Sequence, residues 1–119
     1  MNNRNKNVLN NIRHFIINIP CLKRETLLND AIVDFNSRLL QEDQKPASHS
    51  SDSSFLDRIM VNYVRHKLVS YQDKLHYAHR SQVRNTAYFM LKRKILDRIK
   101  ETYPFLANEC DRQRQFIGD

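Results

Sequence analysis

Apolar residues recur at intervals of three and four along most of the chain, the spacing that puts them on one face of an α-helix. Val8, Leu9, Ile12, Phe15 and Ile16 predict a short first helix, and Pro20 marks a boundary after it. Leu27, Leu28, Ala31, Ile32, Phe35 and Leu39 share the stripe of a second helix that ends near Gln41. Arg38 follows Asp34 by four residues, the favourable order for an ion pair along a helix. Residues 42–53 read EDQKPASHSSDS and hold no apolar side chain larger than Ala47, which predicts a flexible polar linker.

Beyond the linker, Ser54 followed by Asp57 has the spacing of a capping box and predicts a helix start. Leu56, Ile59, Met60, Tyr63, Val64, Leu68, Tyr71 and Leu75 then hold one face for about five turns. A break is expected at residues 78–81. Val83, Ala87, Tyr88, Leu91, Ile95 and Ile99 predict a fourth helix that ends at Tyr103. Pro104 suits the first turn of a last helix, on which Phe105, Leu106, Cys110 and Phe116 are core candidates.

Stripes about half a helix wide belong to helices that pack in a bundle. Composition agrees, because the only glycine is Gly118, and hairpins and strand-to-helix turns need glycine inside the chain. The expected fold is therefore all-α, a bundle of four to five helices in one compact domain. Its parts are an N-terminal helical hairpin over 1–41, the linker at 42–53, and a basic hairpin with a C-terminal helix over 54–119. A chain of 119 residues has room for one such core.

Charge adds a feature the stripes do not show. The chain carries +7 with a pI near 9.7, and the excess is concentrated. Residues 62–100 hold ten lysines and arginines against Asp73 and Asp97. A basic helical segment is the electrostatic footprint of a polyanion site, for which Arg58, Arg65, Arg80, Arg84, Lys92, Arg93, Lys94 and Lys100 are the candidates. The competing reading is a solvated or protein-docking face, since lysine and arginine stems also cover apolar edges. No tight glycine-bearing turn of the helix-turn-helix kind accompanies the patch.

Catalytic chemistry finds little support. His76 and His79 stand three apart, but no zinc spacing completes them, so no metal is expected. The serines cluster in the linker, where nothing rigid would orient a base. Phosphate-binding and dinucleotide loops need glycines the chain lacks. Neither an enzyme nor a cofactor is expected. Cys21 and Cys110 form no C-x-x-C pair and read as reduced, packed thiols of a cytoplasmic protein. No apolar run is long enough for a membrane span, and Arg13, His14 and Asn18 interrupt any signal-peptide core.

Two local patterns are familiar. One is Asn62-Tyr63-Val64-Arg65-His66 followed by Ser70-Tyr71; the other is Tyr103-Pro104-Phe105-Leu106-Ala107, then Glu109-Cys110 and Arg112-Gln113. Together they resemble small uncharacterised helical proteins of photosynthetic bacteria, over roughly residues 55–114. The resemblance implies that 55–114 is the portable unit and 1–41 an addition. It supplies no activity and no catalytic or binding residue. From the residues themselves, Arg112 is placed to reach Glu109 or Asp111, and Arg65, His66, Glu109 and Arg112 are candidates for a partner-docking surface. The expected function is a non-enzymatic protein-interaction adaptor or small regulator, self-association included. The alternative is a nucleic-acid-binding accessory protein that uses residues 62–100.

Overall fold

The computed structural model describes residues 3–42, 53–69 and 84–116. The described residues are helical apart from short connections and contain no strand. Helix α1 spans Asn3–His14, α2 spans Arg24–Glu42 and α3 spans Ser53–Tyr63. A π-helical turn, Val64–Leu68, continues α3. Helix α4 spans Arg84–Thr102, a 3₁₀ turn covers Pro104–Leu106, and α5 spans Ala107–Gln115. The linker expected at 42–53 and the break expected at 78–81 fall almost wholly outside the described residues.

Packing is organised around α3 and α4. Helix α3 lies against α2 and α5, while α4 lies against α1, α5 and the π turn. The N-terminal helices thus pack mainly on the C-terminal half, α1 on α4 and α2 on α3, rather than chiefly on each other. One cluster of buried side chains runs through the whole arrangement. It includes Val8, Ile12, Leu27 and Ala31 from the first two helices and Ile59, Met60, Leu91, Ile95 and Ile99 from α3 and α4. Val61 and Leu96 are also fully buried although they lie off the expected stripes. Each stands on a helix with neighbours on two sides, so the apolar arc is wider than a half-buried helix needs. Phe35 and Phe55 meet edge to face, with ring centroids 5.4 Å apart, and fasten α2 to α3.

Three expectations are corrected. Helix α1 stops at His14, so Phe15 and Ile16 lie beyond it, and Ile16 is 76% exposed. The third helix ends at Leu68, before Tyr71 and Leu75, which lie outside the described residues. It widens into the π turn, the Val69 amide donates to the Val64 carbonyl at 2.8 Å, and Val69 is extended at φ −122° and ψ 107°. Phe116 is 78% exposed and no part of the core, because it follows the last turn of α5.

The early end of α1 has a specific cause. The last carbonyls of a helix have no partner within it. Here the Lys94 ammonium, from the middle of α4, donates to the carbonyls of Ile12, Arg13 and Phe15 at 2.7, 2.8 and 2.6 Å. A cation at this end also opposes the negative pole of the helix dipole. Further along, Arg98 Nε donates to the Ile17 carbonyl at 3.2 Å. The Tyr103 hydroxyl donates to the Pro20 carbonyl and accepts the Leu22 amide at 3.0 Å. Residues 15–23 are thereby strapped to α4 through their main chain. Arg24 stacks over the Phe105 ring at 4.8 Å, where α2 begins.

No helix among the described residues is long and apolar enough to cross a membrane.

The strap predicts the outcome of two substitutions. Lys94→Met leaves three carbonyls without their donor and should destabilise the protein by about 1–3 kcal/mol in chemical denaturation. Tyr103→Phe keeps the buried ring and should cost about 1 kcal/mol. In both variants, amide hydrogen exchange should accelerate first at residues 12–22. Uniform acceleration through α3 and α5 would contradict the assignment.

Candidate functional site

Helix α5 presents Glu109, Arg112 and Gln113 at positions i, i+3 and i+4, so their side chains share one face. Arg112 grips the Glu109 carboxylate with two bonds, Nε to Oε1 and Nη2 to Oε2, each 2.8 Å long. Gln113 Nε2 donates to Glu109 Oε2 at 2.7 Å and to Asn62 Oδ1 at 3.2 Å. Arg65 Nη1 donates to Gln113 Oε1 at 2.9 Å. The network joins α5 to the end of α3 and the start of the π turn. It is also where the two familiar sequence patterns meet, through Asn62 and Arg65 on one side and Glu109, Arg112 and Gln113 on the other.

Glu109 is only 6% exposed, an unusual place for a carboxylate without a partner. Burial alone would raise its pKa. The hydrogen bonds from Arg112 and Gln113, with the charges of Arg112 and Arg58, outweigh that and hold it below its ordinary value. Arg112 keeps about half its side chain in solvent and lies over the exposed Phe116 ring at 5.6 Å. A rigid buried carboxylate thus orients an exposed guanidinium and an exposed aromatic ring.

Of the four docking candidates, the network unites Arg65, Glu109 and Arg112. His66 stands at the surface and has no part in these bonds. Packing around its ring, followed by the charges of Arg65, Arg38 and Lys92, lowers its pKa, while Asp34 acts in the opposite sense.

The polyanion candidates separate by the company they keep. Lys94 is bound to the three carbonyls at the end of α1. Its pKa is lowered by burial. Lys100 bonds to Asp111 at 2.9 Å. Arg65 is held by Gln113, with its Nε buried and unpartnered. Arg58 lies over Phe55 at 5.1 Å and Lys92 over Tyr88 at 4.5 Å. Arg93 is half-buried on α4. Arg84 opens α4, and Arg80 lies outside the described residues. Other basic residues are paired as well: Lys67 with Asp34 at 3.7 Å, Arg98 with Glu101 at 2.9 Å and Arg114 with Asp97 at 2.9 Å. Much of the charge excess in 62–100 is therefore answered by acids and carbonyls from elsewhere in the chain.

An open groove of about 400 Å³ runs between the strap and α4, lined by Phe15, Ile16, Ile17, Lys94, Arg98 and Glu101 among others. Among the described residues, no group of three or more histidines, cysteines and acids could hold a metal ion. Both cysteines are free, but only Cys110 is packed; Cys21 is exposed, on the irregular strap. Burial, followed by the charges of Asp111 and Glu109, pushes the Cys110 thiol up to about 12, so it stays protonated at neutral pH.

The Glu109 network gives a pH prediction. Because its folded pKa is depressed, its stabilisation is complete above the ordinary value of 4.5 and is lost as pH falls through the folded value. Glu109→Gln should be less stable than the parent by about 1 kcal/mol at pH 7. The difference should shrink in denaturation curves taken below pH 4. A gap that widens in acid would contradict the depressed pKa.

Comparison of the chain with protein-family models, with curated proteins and with solved structures finds no match.

Proposed function

We propose that the protein is a non-enzymatic adaptor or small regulator of the cytoplasm that docks onto another protein through the exposed edge of α5. One observation carries the reading: an arginine and a phenylalanine stand in solvent side by side, the guanidinium of Arg112 fixed by buried Glu109 and the ring of Phe116 78% exposed. Arginine and aromatic residues are the usual anchors of protein interfaces, and a side chain already held in place loses less entropy on binding. Phe116 contributes nothing to the core, so folding alone does not explain its position.

A photo-crosslinking residue at position 115, in the full chain, tests the reading in lysate of the native host. The expected result is one recurrent crosslinked protein, or a second copy of this chain, with yield reduced at least tenfold by Phe116→Ser. That substitution lies outside the core and should leave the melting temperature unchanged. A strict monomer at high concentration that captures nothing would overturn the proposal.

A second reading, a nucleic-acid-binding accessory protein, is favoured by a different observation. Arg38, Arg65 and Lys92, from α2, the π turn and α4, bring their charges together about His66.

A further inference from the structure

The π turn stands beside a concentration of positive charge that the ion pairs do not cancel. Arg38 and Lys67 share one carboxylate, that of Asp34, at 3.3 and 3.7 Å. Arg65 has only the neutral Gln113 amide on Nη1, and its Nε is buried without a partner. Lys92 meets the face of an aromatic ring. Three cations, Arg65, Arg38 and Lys92, thus act on His66, with Asp34 opposing them. That histidine is held below its ordinary pKa by packing and by these charges.

The same face continues along α4 into aromatic surface. Below Lys92 lies Tyr88, whose ring meets that of Phe89 edge to face at 5.9 Å. Phe89 is 40% exposed. Cations followed by an accessible ring match what a single nucleic-acid strand offers, charged phosphates on one side and unpaired bases on the other. A duplex would use the cations and leave Phe89 idle, because its bases are stacked inside.

We infer that this face binds single-stranded nucleic acid, its phosphodiesters on Arg38, Arg65 and Lys92 and a base against Phe89. The inference rests on the nucleic-acid reading and narrows it to a strand type and a place. The face shares Arg65 with the Glu109 network but uses neither Arg112 nor Phe116.

Fluorescence anisotropy of the full chain with labelled dT20, rU20 and a 20-base-pair DNA duplex tests it. Single-strand affinity should fall roughly tenfold between about 50 and 200 mM salt, as about three phosphate contacts require. Phe89→Ala should weaken dT20 and rU20 by roughly tenfold and leave the duplex unchanged. Arg38→Glu with Lys92→Glu should abolish binding of the single strands, with circular dichroism confirming the fold. Duplex binding as tight as single-strand binding, and indifferent to Phe89→Ala, would overturn the inference and leave the nucleic-acid reading standing. No binding to any probe at 50 mM salt would overturn both. Competition by polyglutamate as effective as by unlabelled dT20 would show a site for acidic protein instead.

Discussion

The ammonium group of Lys94 sits where α1 ends, and its three bonds to main-chain carbonyls decide how the N-terminal part of the molecule meets the rest. A lysine on the inner side of a helix is costly to desolvate unless acceptors meet it. The end of a helix supplies several carbonyls at one point, together with the negative pole of its dipole. Each group therefore resolves the other's deficit. Once α1 is stopped there, the next residues leave as an irregular strap that Arg98 and Tyr103 hold down in turn. The strap delivers the chain to the start of α2, and α2 can then cover α3.

The C-terminal end is organised by the same principle with different groups. Glu109 is buried, and Arg112 and Gln113 from its own helix meet it; Gln113 then reaches back to Asn62 and Arg65. The π turn follows directly after Tyr63, where α3 meets this network. Such turns add a residue to the helical register and re-aim the side chains after them. Arg65 faces Gln113, while the next residue, His66, stands among charges from α2 and α4. One local irregularity thus separates two surfaces, the arginine and phenylalanine edge of α5 and the basic face beside α4.

The helical character of the chain was legible in the spacing of its apolar residues and in the absence of internal glycine. Boundaries set by local chemistry were legible too, such as the Tyr103-Pro104 corner and the Arg112 bond to Glu109 three residues away. What escaped the sequence depends on contacts between distant segments. Phe15 and Ile16 fit the α1 stripe, and only Lys94, some eighty residues on, explains why the helix stops before them. Val61 and Leu96 fall off a single stripe because two neighbours cover their helices. Gln113 gave no sign of its role, since its partners come from α3 and the π turn. The basic segment was legible only in part. Its charge was visible, but the acids and carbonyls that answer Lys94, Lys100 and Lys67 lie elsewhere in the chain.

Basic residues among the described segments thus divide between those bound to carbonyls or carboxylates of the fold and those that are not. Lys92 and Lys94, two residues apart on α4, stand on opposite sides of that division. Competitive acylation of lysines in the native protein, read by mass spectrometry, compares them directly. Lys94, with all three of its protons directed to carbonyls, should be among the slowest lysines to react, and Lys92 should react several times faster. Denaturant should bring the two rates together. Equal reactivity of Lys92 and Lys94 in the native state would contradict the central role given to the Lys94 contact.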